Sequence, residues 1–236
     1  MRFIHIPMPN ETETSPDYVR IGFDDNHDFR AAIEDRSVDF LIVSAELGFS
    51  PLAANLQLIS EALGIDTQTI EEIALAMEDD PLHASMVCLK NRIPNARGLR
   101  GAMLVSSENS RYYREQLAQV NDYERIRDFY YALTHESLVL ASNEVKAKNF
   151  GMTHICAGGF IHPRILTHSV DAYIQFAHGT RARGHQFAFV GCCIDWNMVE
   201  QATRMADTAF RGLQLHSAYF ESDEIHGFLR VTARIP

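Results

Sequence analysis

An almost uninterrupted apolar run, VDFLIVSA from Val38 to Ala45, restricts the folds open to this chain more than any other segment. A strand with one face in water alternates apolar and polar residues, whereas a strand covered on both faces is apolar throughout. Doubly covered strands are typical of the parallel sheets of α/β proteins, where helices lie on both sides. The run therefore predicts a buried central strand.

Helical patterns occupy much of the chain between the strand-like segments. A helix is predicted over about Pro51–Leu63. Ser50 can cap its free N–H groups, Pro51 fits the first turn, and Gly64 ends the segment. The segment TIEEIALAMEDD follows as a second helix, with Thr69 and Glu72 at capping-box spacing. Apolar residues keep a helical period from Ser110 to about Phe150, with a break near Thr134–Ser137, which predicts two further helices.

Strand-like segments alternate with these helices. Repeated strand, helix, strand units with right-handed crossovers bury a central sheet between two helical layers, and no linker or repeat divides the sequence. We therefore predict a single α/β domain over residues 1–236, with a three-layer α/β/α fold and a mixed, mostly parallel central sheet. The remaining strand-like segments are VRIGF (19–23), SMVCLK (85–90), RGAMLVSS (100–107), THICAGGF (153–160), HQFAFVGCCI (185–194) and a final pair near LQLHSAYF and HGFLRVTARI, predicted to be antiparallel at the sheet edge.

Charge and composition narrow the classes of partner. The formal net charge of -10 and the pI of about 5.5 repel the phosphate backbone that dominates nucleic-acid affinity, so nucleic acid is not expected as a partner. No apolar run reaches the roughly 18 residues that a membrane span requires, and the first residues lack the layout of a secretory signal. We therefore expect a cytoplasmic protein with reduced cysteines and no membrane partner.

The carboxyl ends of the predicted parallel strands are the candidate binding positions. Ligands of open α/β sheets collect there, because the loops lead into helix N-termini with unpaired N–H groups. A Gly-Gly turn after one strand would let the backbone approach a phosphate or carboxylate closely. The residues predicted to bind a ligand or cofactor at these ends are Asp24, Gly158, Gly159, His162 and Asp195.

A cysteine pair offers a catalytic alternative. Cys192 and Cys193 lie where a strand becomes a helix, and the positive end of a helix lowers a thiol pKa. At most one of these adjacent side chains can face a cleft, with His154 as its base if the two strands are neighbours, or His162 instead. Buried packing of both thiols is the simpler alternative. Five histidines fall between His154 and His185, but their spacing does not define a metal site, and no metal is predicted.

The order of elements and several segments resemble the macro-domain family. RSVDFLIVSAELGF, preceded by IGFDD, is similar to the start of macro domains, and ASNEVKAKNFGMTHICAGGFIHP and FAFVGCCIDWNMVEQA are similar to later helices and strands of the family. The resemblance covers about Val19 to Phe210 and implies that Asp24 reads adenine and that Gly158 and Gly159 face a diphosphate. Where the family has NAAN, this chain has Ser44 to Leu47, and FSPLAANL replaces the glycine-rich loop that follows.

Three functions are compatible with these features. The first is binding of a nucleotide-like or other anionic small molecule in a macro-domain-like cleft at the strand ends. The second is a hydrolase or transferase that uses Cys192 or Cys193 with a histidine base. The third is a non-catalytic interaction module with aromatic anchors on the helical region over 110–150. The proposed aromatic anchors of this third function are Tyr112, Tyr113, Phe129, Tyr130 and Tyr131. The sequence determines neither enzymatic activity nor cofactor nor oligomeric state.

Overall fold

The computed structural model describes residues 2–7, 18–24, 29–34, 37–45, 51–78, 84–93, 98–106, 123–152, 172, 176, 186–190 and 219–234. The strands are β1 (Arg2–Pro7), β2 (Tyr18–Asp24), β3 (Phe40–Ser44), β4 (Ala84–Lys90), β5 (Gly101–Val105), β6 (Asn149–Met152), β7 (Gln186–Val190), β8 (Tyr219–Ile225) and β9 (Phe228–Arg234). The helices with described bounds are α1 (Arg30–Glu34), α2 (Pro51–Leu63), α3 (Thr67–Glu78) and α4 (Tyr123–Val145).

These strands form one nine-stranded mixed sheet with the order β1-β2-β7-β6-β3-β5-β4-β9-β8. The neighbouring pairs from β2 through β7, β6 and β3 to β5 are parallel. Antiparallel pairs join β1 to β2 at one end, and β5, β4, β9 and β8 in succession at the other. The fold is of the α/β class with a mixed sheet, and its last two described strands are antiparallel, as predicted. Strand β8 begins only at Tyr219, near the end of the predicted LQLHSAYF segment, and the rest of that segment lies outside the described residues. The predicted predominance of parallel pairs is not confirmed, because both ends of the sheet add antiparallel neighbours.

Strand β3 is the buried central strand that the apolar run predicts. Its side chains are all fully buried, and alternate residues point to opposite faces of the sheet. Leu41 and Val43 belong to one apolar cluster with Ile59 of α2 and Ile73 of α3. Each such side chain contributes about 1.5–3 kcal/mol when it is removed from water. Packing against β3 therefore fixes α2 and α3 on this face.

The opposite face of the sheet contacts α4 and a group of phenylalanines. The Ser137 hydroxyl of α4 lies 3.0 Å from the sulfur of Met86 in β4. Phe40 of β3 and Phe150 of β6 meet edge to face with ring centroids 6.2 Å apart, and Phe176 contacts Phe150 in the same way at 5.7 Å. Such pairs contribute about 0.5–1.5 kcal/mol beyond the area that they bury. Apolar contacts therefore cover this face of the central strands as well.

Helix α4 corrects the prediction of two helices separated near Thr134–Ser137. It runs unbroken through this segment, and the Ser137 hydroxyl donates a 2.7 Å hydrogen bond to the Leu133 carbonyl one turn earlier, a bond compatible with the helix. Thr134 and Ser137 are both fully buried, so these polar residues belong to the packed side of the helix. The helix also ends before Phe150, which belongs to β6.

Helices α2 and α3 lie close to their predicted positions. Helix α2 has the predicted range, and Gly64 follows it with a φ of 65°, a left-handed conformation that disfavours any side chain. Helix α3 begins at Thr67, before the predicted capping residue Thr69. The predicted capping box is therefore wrong, and Glu72 instead accepts a 2.9 Å hydrogen bond from the Gln68 side chain.

Asp39 ties the starts of three parallel strands together. Its carboxylate accepts hydrogen bonds from the backbone N–H groups of Lys148 and Asn149, at 3.1 and 2.8 Å. The same carboxylate lies 3.2 Å from Arg100 Nε, and the Arg100 guanidinium also donates to the Lys146 carbonyl at 3.1 Å. Asp39 precedes β3, Arg100 precedes β5 and Asn149 begins β6. We call this side of the sheet the amino edge and the opposite side the carboxyl edge.

Candidate functional site

Five parallel strands end together at the carboxyl edge. Strands β2, β7, β6, β3 and β5 lie side by side and point the same way. Asp24 at the end of β2 pairs with Val190 at the end of β7. Met152 at the end of β6 pairs with Ile42 of β3 and Phe189 of β7. The described ends of these five strands therefore share one edge.

The chain leaves β3 and β6 in opposite directions along the sheet. After β6, the next strand in the chain is β7, which lies on one side, whereas the next parallel strand after β3 is β5, on the other side. In open α/β sheets such a switch point forms a crevice at the carboxyl ends, where ligands bind. The described residues at this point are Met152 and Ser44, both fully buried. The carboxyl edge between β3 and β6 is therefore the candidate binding site.

Helix α2 brings its N-terminus to the same edge. Its Leu63 and Ala62 carbonyls accept hydrogen bonds from the Arg92 N–H at 2.8 Å and the Asn91 side chain at 3.1 Å. Both donors follow β4, which ends at the amino edge because it is antiparallel to β5. The 13-residue helix is about 20 Å long, so its first residue, Pro51, lies near the carboxyl edge. The N–H groups of the first turn carry partial positive charge, which favours an anion there.

Two buried serine hydroxyls lie opposite each other at the carboxyl edge. The Ser106 N–H donates to the Ser85 carbonyl at 2.8 Å, which continues the antiparallel pairing of β4 and β5. Ser85 is two residues before Val87, and Ser106 is two residues after Leu104. Residues two apart in a strand share a face, so both hydroxyls point toward the face that α2 and α3 cover. Ser85 is 4% exposed and Ser106 is 2% exposed, and neither hydroxyl has a hydrogen-bond partner among the described residues. Sequence reasoning missed this pair, because its importance depends on burial and strand pairing.

Of the predicted site residues, Asp24 lies within the described ranges, and its backbone forms the end of β2. The predicted THICAGGF strand follows β6 directly in the chain and lies outside the described residues. The other predicted binding and catalytic residues lie outside the described ranges. They are His154, Gly158, Gly159, His162, Cys192, Cys193 and Asp195.

The proposed cysteine and histidine follow neighbouring strands. Strand β6 precedes His154 and pairs in parallel with β7, which precedes Cys192. The condition that the two strands are neighbours is therefore met.

A second group of ionisable residues surrounds β4 near the amino edge. Burial raises the pKa of the Cys88 thiol to about 12, which leaves it protonated near neutral pH. Lys90 forms a 2.6 Å ion pair with Glu144 of α4, and hydrogen bonding to this carboxylate raises the pKa of the lysine. The Lys90–Glu144 ion pair joins α4 to β4, and these groups are not positioned at the candidate site.

Helix α4 brings two half-buried ionisable side chains to the level of the carboxyl edge. Ser137 contacts Met86, which pairs with the last residue of β5, and His135 and Glu136 directly precede this contact. Burial lowers the pKa of His135 and raises that of Glu136. His135 also stacks on Tyr131 with ring centroids 5.9 Å apart. Sequence reasoning missed this pair, because the apolar periodicity drew attention to the neighbouring aromatic residues.

Comparisons with known proteins do not assign a family. No protein-family model matches the chain, and a search of curated proteins finds no match either. Within the described ranges, no helix combines the length and apolar character needed to cross a membrane. The same ranges contain no group of three side chains arranged to hold a metal ion. The carboxyl edge of the sheet is therefore the structural feature that bears on function.

Proposed function

We propose that this protein binds a nucleotide-like or other anionic small molecule in a macro-domain-like cleft at the carboxyl edge between β3 and β6. The observation that carries the proposal is the switch point between these two strands. We further propose a three-layer α/β/α fold for the whole chain, in a cytoplasmic protein. The layering is supported by the packing of α2 and α3 on one face of the sheet and of α4 on the other.

An anionic ligand fits the groups that border this cleft. The first turn of α2 supplies N–H groups with partial positive charge. The Gly158-Gly159 pair, which the resemblance assigns to a diphosphate, follows β6 in the chain. Asp24, at the end of β2, is proposed to accept a hydrogen bond from an adenine amino group. His162 and Asp195, which follow β6 and β7 in the chain, complete the proposed ligand-binding set.

Calorimetric titration with ADP-ribose and common nucleotides tests this function. If Asp24 reads adenine, Asp24→Asn weakens binding of adenine nucleotides about 10-fold or more, since a hydrogen bond to a charged group contributes about 1.5–3 kcal/mol. The matched control is Asp66→Asn, because Asp66 is exposed between α2 and α3. The absence of binding to every nucleotide at millimolar concentration removes the nucleotide proposal. Equal binding by both variants removes the role of Asp24.

A second candidate function is a hydrolase or transferase with Cys192 or Cys193 as nucleophile and His154 as base. The neighbouring positions of β6 and β7 favour it over other pairings. It requires one thiol that reacts with iodoacetamide near neutral pH, identified by mass spectrometry of the folded protein. Cys88 is the internal control, because it is about 1% exposed and protonated. A folded protein in which neither Cys192 nor Cys193 is labelled excludes this mechanism.

The third function, a non-catalytic interaction module, has less support. Tyr130 and Tyr131 are 3% and 4% exposed, so these two aromatic side chains pack inside the protein. The other proposed anchors, Tyr112, Tyr113 and the ring of Phe129, lie outside what the structure describes. No described aromatic anchor therefore remains on α4 for a partner.

A further inference from the structure

Among the described strands, β8 lies at one end of the sheet, and its residues 221–224 are exposed. It pairs with β9 and is the last of the described strands in the sheet order. Glu221, Ser222, Asp223 and Glu224 are consecutive and all exposed. Because consecutive side chains of a strand point to opposite faces, neither face of β8 is covered by packed structure over these residues.

The hairpin register shows which backbone groups of β8 point outward. Ile225 pairs with Phe228 around a two-residue turn in which His226 and Gly227 both have positive φ, as type I′ turns require. Residues that flank such a turn form a closely hydrogen-bonded pair, and the pattern repeats at every second residue. Ser222 and Glu224 therefore direct their N–H and C=O groups away from β9. So does the residue at 220.

Contacts at the turn hold the hairpin against the rest of the domain. Phe228 is buried in the apolar cluster, and the Arg92 guanidinium lies 4.5 Å above its ring. His226 Nε2 lies 3.9 Å from a Glu72 carboxylate oxygen of α3. A fixed strand with outward N–H and C=O groups is a template for an additional strand, because little ordering of the hairpin is required on binding.

The charges of β8 select the kind of strand that can bind. Glu221, Asp223 and Glu224 are acidic, and Arg230 of β9 forms a bidentate ion pair with Asp223. A second copy of β8 in antiparallel pairing would place acidic side chains next to acidic side chains, which is unfavourable across strands. The net charge of -10 adds to this repulsion. An extended segment that carries lysine or arginine is complementary instead.

We propose that the outer edge of β8 binds an extended basic segment of a partner protein by strand addition. This surface is independent of the proposed ligand cleft. Five strand spacings separate β8 from β6, which is about 24 Å at the usual distance between neighbouring strands. Main-chain hydrogen bonds to residues 220, 222 and 224 supply the pairing, and the acidic side chains supply the preference for a basic partner.

A ten-residue peptide of alternating threonine and lysine, labelled for fluorescence anisotropy, is the probe. Ser222→Pro removes one outward N–H group, and proline is tolerated at such positions of edge strands. We expect Ser222→Pro to weaken peptide binding at least 10-fold relative to the control Ser222→Ala. Hydrogen exchange at residues 222 and 224 should also slow when the peptide binds. A peptide with glutamate in place of lysine should not bind.

A peptide N-methylated at alternate residues separates strand addition from charge attraction and leaves the protein unchanged. It retains the lysines but lacks half of the backbone donors, so it should bind at least 10-fold more weakly. Equal binding of this peptide, or unchanged binding by a folded Ser222→Pro variant, overturns the proposal. Concentration-dependent dimerisation of the protein alone that Ser222→Pro abolishes overturns it as well, because the edge would then pair with a second copy.

Discussion

Replacement of Ser106 by alanine should stabilise the ligand-free protein. Its hydroxyl is buried beside that of Ser85, without a described partner, and a buried unpaired hydroxyl costs about 1–3 kcal/mol. Alanine removes that cost and leaves a void of roughly 12 Å³, which costs about 0.3 kcal/mol at 24 cal/mol per Å³. The expected gain in the free energy of unfolding is therefore about 1–2.5 kcal/mol. For a chain of this size, each kcal/mol raises the Tm by about 2–4 °C.

Urea denaturation of Ser85→Ala, Ser106→Ala and the double variant measures this gain. Ser137→Ala is the matched control, because its buried hydroxyl donates to the Leu133 carbonyl. Loss of that hydrogen bond should lower the free energy of unfolding by about 1 kcal/mol. Ser85→Ala and Ser106→Ala should therefore raise the free energy of unfolding, whereas Ser137→Ala should lower it.

A double-mutant cycle identifies the result that would refute this reasoning. If Ser85 and Ser106 bond to each other, each single variant destabilises the protein, and the second substitution adds little to the first. If either hydroxyl has another partner, its variant alone lowers the free energy of unfolding. Both outcomes contradict the interpretation that the two hydroxyls lack hydrogen-bond partners in the folded protein. Stabilisation by each single variant would support it.

Three further predictions concern packing and protonation. Gly151→Ala should lower the free energy of unfolding, measured by urea denaturation, by about 1–3 kcal/mol, because the added Cβ would lie 2.9 Å from Val38. Gly98→Ala, with open space around it, should change stability little. Equal effects of the two substitutions would be inconsistent with this packing. Cys88 should resist iodoacetamide at pH 7.5 until the protein unfolds, and rapid labelling would show that it is accessible. Burial holds the pKa of His135 below its ordinary 6.5, so the free energy of unfolding should fall as the pH drops through that value. The fall should be less steep in His135→Gln. An identical pH dependence of the two proteins would refute the lowered pKa of His135.

Local signals predicted individual elements well. The apolar run at β3 and the Ser-Pro and glycine signals of α2 depend on a few neighbouring residues, and both elements lie where they are predicted. The break predicted near Thr134–Ser137 failed because the sequence does not show that the Ser137 hydroxyl bonds within the helix. Strand β1 was not predicted at all, since its pairing with β2 is a property of the folded sheet.

The arrangement of the strands could not be predicted from local patterns. Strands β6 and β7 lie between β2 and β3, although they follow them by more than a hundred residues in the chain. Such order depends on contacts between distant segments, which periodicity does not encode. The carboxyl edge itself was predictable, because parallel strands end on one side wherever they lie. The buried serines there were not, since polar residues at strand ends are usually solvated.

The Asp39 network holds three strands in register on the side of the sheet opposite the candidate site. One carboxylate joins β3, β5 and β6 where they begin. We therefore expect changes beyond the carboxyl ends of these strands to leave their register unchanged. Grafting of recognition loops from unrelated proteins onto this scaffold should succeed as long as Asp39 and Arg100 are retained.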